Sequence, residues 1–159
     1  MITQEAVGTS SATPEDIWAV LGNYFGLSSW ATGINHSSPL TATPAGPGAV
    51  RRVQVGASVL IETVTTWEPK HAMTYTIAGL PPLALHVENR WRLTPRPDRG
   101  TDISLELAIE PVPRPIARLL VRAMQRRMAS ANRGLVNDLV AAVAAARKTT
   151  SESGKETPW

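Results

Sequence analysis

The segment that begins at Pro115 constrains the fold most. Its apolar residues Ile116, Leu120, Ala123, Met124, Met128, Ala131, Leu135, Leu139, Ala142 and Val143 recur near helical spacing, with Arg118, Arg122, Arg126 and Arg133 elsewhere on the wheel. That pattern predicts one amphipathic helix of about thirty residues. Such a helix carries a long apolar stripe that must be covered, so the rest of the chain has to supply an apolar surface of matching length. Gly134 interrupts the pattern at a cost of about 1 kcal/mol against Ala, which points to a bend or a close backbone approach there.

The covering surface is legible upstream. From Ile34 to Glu110 short Thr- and Val-rich runs alternate with Pro, Gly and Asp clusters, the signature of an antiparallel meander. Strands are predicted over 35–40, 50–55, 59–68, 72–78, 85–94 and 101–110, and an opening strand over 3–10 makes seven. Leu85, Val87, Asn89, Trp91 and Leu93 share one face of their strand and His86, Glu88, Arg90 and Arg92 the other. Ile103, Leu105, Leu107 and Ile109 then face inward, as in a sheet with one wet side. Between the first two strands, Thr13-Pro14-Glu15-Asp16 reads as a helix start with a capping box, and Tyr24 to Trp30 as a second short helix. The fold class is α+β, one domain over residues 1–147, with a polar, disordered tail over 148–159.

The 159 residues contain no cysteine, which excludes disulfide frameworks, iron–sulfur clusters and thiol nucleophiles. His36, His71 and His86 form no ligand-spaced pair, so no metal site is expected. Gly46-Pro47-Gly48 lacks the Lys-Ser/Thr of a phosphate loop, and no cofactor motif appears. The longest apolar run, Leu139 to Ala146, is far shorter than a membrane span. The first residues lack the pattern of a secretory signal, giving a cytoplasmic expectation. Residues 111–148 hold seven Arg, one Lys and a single Asp, whereas residues 1–110 are net acidic. Arg114, Arg118, Arg122 and Arg126 form a stripe spaced by four, readable as a solvated face or as a contact for an anionic surface or acidic partner. No aromatic is interleaved with them, and nucleic acid is not an expected partner.

Asn89 is the sharpest single feature, because an amide on the apolar face must be hydrogen-bonded or cost about 1–3 kcal/mol. It can orient a ligand oxygen, or simply bond backbone or a buried water. Tyr75 alternates with Met73 and Ile77, which turns its ring inward as a hydrogen-bond donor or as an ordinary core residue. Thr63 and Thr65 fall on the same face as Ile61 and Trp67 by alternation, and could add hydroxyls or merely suit a strand.

The element order is that of the helix-grip fold, a curved seven-stranded sheet wrapped around a long carboxy-terminal helix. Ala12-Thr13-Pro14-Glu15-Asp16-Ile17-Trp18, Trp30, Glu62-Thr63-Val64-Thr65-Thr66-Trp67-Glu68-Pro69, Tyr75 and Trp91-Arg92-Leu93-Thr94-Pro95 resemble the polyketide cyclase/dehydrase-like branch of the START-like (SRPBCC) superfamily. The resemblance implies a deep cavity between sheet and helix for a hydrophobic small molecule, with Trp30 as a wall near its mouth. Alternation and helical spacing then give a candidate lining of Trp30, Thr63, Tyr75, Asn89, Trp91, Leu105, Met124, Met128 and Ala131. Binding of a lipid-like or polyketide-like molecule is the leading expectation. A polyketide cyclase or dehydratase and an interaction module using the Arg stripe are the alternatives, and monomer and dimer are both open.

Overall fold

The computed structural model describes residues 1–154. The chain runs β1 (Ile2–Ser10), α1 (Pro14–Leu21), a short 3-10 helix (Tyr24–Ser29), β2 (His36–Pro39), β3 (Val50–Val55), β4 (Ser58–Glu68), β5 (Ala72–Ala78), β6 (Ala84–Pro95), β7 (Thr101–Pro111) and α2 (Pro115–Ser153). All seven strands form one antiparallel sheet in the order β1-β7-β6-β5-β4-β3-β2. At the α1 start Thr13 accepts from the Asp16 backbone N–H through its hydroxyl and Pro14 opens the helix, so the Thr13 half of the expected capping box forms, while the Asp16 carboxylate turns toward Arg147 Nε at 3.8 Å. Among the described residues no helix is long and apolar enough to cross a membrane.

α2 crosses the concave face of the sheet and buries Ala117, Val121, Ala129, Asn132, Val136, Leu139 and Val143. It meets β1 at Gly8, where a Cβ would lie 2.7 Å from Val136 Cγ1, so a larger residue there would push the helix off the sheet. Leu105, Leu107 and Ile109 of β7 are fully buried beneath it. The helix is continuous through Gly134, and a Cβ at that position would meet nothing within 4 Å. The close approach is therefore made by Gly8 and not by Gly134.

Two boundaries differ from expectation. α2 runs on to Ser153, through the first part of the segment expected to be a disordered tail, and there the Thr149 and Thr150 hydroxyls donate to the carbonyls of Ala145 and Ala146. The rest of that tail, 155–159, lies outside the described residues. Leu85 is exposed although it shares parity with Val87, because a register irregularity between Ala84 and His86 resets the alternation.

Candidate functional site

Asn89 lies on the inward face of β6, 3% exposed, and its partner comes from the helix. Asn132 Nδ2 donates to Asn89 Oδ1 at 2.8 Å, and Asn89 Nδ2 donates back to Asn132 Oδ1 at 3.3 Å. Asn89 Nδ2 also donates to Tyr75 Oη at 3.2 Å from the cross-strand position on β5. Both carboxamides are thereby hydrogen-bonded in the dry interior, and the pair ties α2 to β6 in rotation and height above the sheet. Tyr75 Oη acts in these bonds as acceptor.

A second polar group adjoins the first through Tyr75. Arg51 of β3 is buried and bonds Glu62 Oε2 of β4 through Nε at 2.7 Å and Nη2 at 2.6 Å. Its Nη1 donates to the Tyr24 carbonyl at 2.5 Å. The guanidinium lies 3.9 Å over the Tyr24 ring and 5.1 Å from the Tyr75 ring centroid, a stacked, desolvated cation with its counterion. Tyr24 closes the group by donating from Oη to the Glu62 carbonyl at 3.1 Å. Burial, the largest single influence, opposes the Arg51 charge, and Glu62 together with Tyr24 and Tyr75 outweighs it, so the pKa rises and the cation persists.

The chain has two tyrosines, and both belong to this cluster. Burial, the largest influence on each, pushes Tyr24 well above the ordinary phenol range and Tyr75 up to about 12. Glu62 adds to both, Arg51 opposes both, and donation from Asn89 and Trp91 lowers Tyr75 somewhat. With folded pKa values above the unfolded value of about 10, this contribution to stability is complete below pH ~10 and is lost as pH rises toward Tyr75's folded value. Titrating the phenolate absorbance of the native protein is expected to show neither tyrosine ionising at pH ~10. Both should ionise together with loss of secondary structure at higher pH. A separate one-tyrosine step near pH ~10 in folded protein would mean that a ring is open to water.

The structure brings together much of the expected lining. Tyr75, Asn89, Trp91 and Leu105 all face the interior at no more than 3% exposure, and Met124 and Met128 are half-buried against the same core. Trp30 is half-buried between the main core and a smaller cluster of Leu27, Ala31 and Val53, and its Nε1 is buried without a hydrogen-bond partner. Thr63 and Ala131 are corrections. Glu62 and Val64 are the inward residues of β4, so Thr63 takes the opposite face, and a bulge at Thr65 returns Trp67 to the inside. Ala131 is exposed, one position short of buried Asn132. It lines a shallow cleft of about 220 Å³ with Ile34, Val55, Gly134 and Asp138.

Of the side chains expected to line a deep cavity between sheet and helix, Tyr75, Asn89, Trp91 and Leu105 are buried in the core. Larger clefts lie at the periphery, one of about 410 Å³ between α1 and the end of α2. The segment after the 3-10 helix is tied to α2 by Asp138, whose Oδ2 accepts from Thr32 N at 2.8 Å and Thr32 Oγ1 at 2.9 Å. Arg51, Glu62, Tyr24 and Asn132 are absent from the lining that the sequence suggests, and they hold most of the interior's polarity.

The family model described as polyketide cyclase / dehydrase and lipid transport matches residues 1–140. No curated protein matches the sequence. Among solved structures, a Thermus thermophilus protein superposes with a TM-score of 0.70 at 19% identity, over 91% of this chain and 99% of its own. The Zhui aromatase/cyclase of a Streptomyces species gives 0.69 at 18%, over 90% and 93%. A START superfamily protein of Mycobacterium smegmatis gives 0.59 at 18%, over 86% and 98%. Identities this low carry the fold and no more. The family match over residues 1–140, nearly the whole folded chain, on the helix-grip architecture described above, places this protein in the polyketide cyclase / dehydrase and lipid transport family.

Proposed function

We propose that the protein binds a hydrophobic small molecule, lipid-like or polyketide-like, between the sheet and α2, with an oxygen of the ligand received at Tyr75. The observation that carries this reading is the Trp30 indole N–H, buried without a hydrogen-bond partner in an apolar interior that also holds the Tyr75 phenol. A buried donor without an acceptor costs about 1–3 kcal/mol, and a ligand oxygen would relieve that cost. Met124 and Met128 supply side chains able to rearrange around an incoming molecule, and Trp91 and Leu105 would form the apolar wall.

Native mass spectrometry of the protein with palmitate and with a dihydroxyanthraquinone tests it. The expected result is a retained adduct with at least one probe. Tyr75→Phe should weaken it roughly fivefold, for one hydrogen bond of about 1 kcal/mol, and Met128→Trp should abolish it by filling the space. A protein that stays bare under conditions preserving a known carrier complex, or an adduct indifferent to both substitutions, would sink the reading.

A cyclase or dehydratase activity draws on the same residues. A phenol held protonated beside the Arg51 cation and oriented by Asn89 is placed to donate to a developing oxyanion. Incubation with a poly-β-ketone substrate separates enzyme from carrier: the enzyme loses kcat in Tyr75→Phe and Asn89→Ala, whereas the carrier leaves the spontaneous product rate unchanged.

A further inference from the structure

We propose that the first three turns of α2 dock on an anionic lipid bilayer. This helix is amphipathic twice. Ala117 and Val121 are buried on the core, while Ile116, Leu119 and Leu120 on the opposite side are 66%, 65% and 46% exposed. Their i, i+3, i+4 spacing puts all three in one outward patch. Arg118, Arg122 and Arg126, spaced by four, run along its flank, with Arg114 before it and Arg127 beyond. All five arginines are exposed, and among the described residues none enters an ion pair. From Pro111 to Asn137 the sequence contains no Asp or Glu.

Stability of the fold does not account for these choices. Cations in the first turn of a helix oppose its dipole, the N-cap Arg114 makes no side-chain capping bond, and three large aliphatic side chains in water contribute nothing to the core. One kind of surface uses both features. An anionic bilayer accepts aliphatic side chains below its headgroups and pairs its phosphates with arginines that snorkel at the same depth. Nucleic acid would leave Ile116, Leu119 and Leu120 unused. The proposal does not rest on the interior ligand-binding reading, because its residues lie on the opposite side of the helix.

Co-sedimentation of the full chain with phosphatidylcholine vesicles, with and without about one-third phosphatidylglycerol, tests it. The protein is expected to partition onto the anionic vesicles, not onto the neutral ones, and to be released as salt is raised. Arg118→Gln/Arg122→Gln should lower the partition about twenty-five-fold, some fivefold for each arginine. Ile116→Ser/Leu119→Ser should lower it roughly tenfold or more through lost apolar insertion. Both variants change exposed positions, and unaltered circular dichroism and Tm establish that each is folded. Failure to partition onto anionic vesicles, or equal partition onto neutral ones, overturns the proposal. So does binding that needs the arginines and ignores Ile116→Ser/Leu119→Ser, which would assign the face to an acidic protein or other polyanion.

Discussion

Replacing Glu62 by Leu is expected to destabilise the protein by about 3–5 kcal/mol, because it leaves the Arg51 guanidinium buried without a counterion. At about 2–4 °C per kcal/mol for a domain of this size, Tm should fall by roughly 6–20 °C. The Arg51 side chain has no route to relief, since it is sandwiched under the Tyr24 ring and already spends Nη1 on the Tyr24 carbonyl. The double variant Arg51→Met/Glu62→Leu should recover most of the loss, because an apolar pair of similar volume needs no desolvation. Thermal unfolding of the three proteins checks this. A single variant within about 1 kcal/mol of wild type would mean that water reaches Arg51 and that the pair is not the sealed feature described.

Two leucines on one helix give the second large contrast. Leu139 is fully buried against the sheet, and Leu139→Ala should cost about 2–5 kcal/mol from lost burial and the cavity left behind. Leu119→Ala removes the same atoms from an exposed side chain and should stay within about 0.5 kcal/mol. Denaturant titration of both variants reads the difference directly. Equal losses would contradict the rotation of α2 that Asn132 fixes, and with it the outward placement of Ile116, Leu119 and Leu120.

That rotation also shows where sequence reasoning succeeds and stops. The period of the chain after Pro115 and the alternation in β6 and β7 locate the helix and the sheet's apolar face, because burial there obeys the ideal repeat. Following apolar character along the helix, however, selects Ile116, Leu120 and Ala131, all exposed, and passes over Asn132. Asn132 stands at i+3 from Ala129 and four before Val136, on the stripe that is buried, so spacing finds it where hydrophobicity does not. Counting in twos back from Trp67 misplaces Thr63, because the count crosses a bulge that propensity does not mark. Arg51 and Glu62 look like wet-face residues one at a time. The two-residue turn at Gly56-Ala57 sets Val55 opposite Ser58, and counting outward from it sets Arg51 opposite Glu62.

The strand order places the first strand of the chain beside the last, with Ile2 opposite Ile109. During synthesis, β2 to β7 can zip together hairpin by hairpin as they emerge, each closing on its neighbour. β1 leaves the ribosome first and has no partner until the end of β7 has followed, after all the intervening strands. Closing a loop of about a hundred residues costs on the order of 4 kcal/mol of chain entropy, to be met only when β7 is extended and α2 can fold over the joint. The amino-terminal strand is therefore the last to dock. Its wait, set by the pace of translation, is the interval in which the nascent chain most needs protection from pairing with a neighbour's edge.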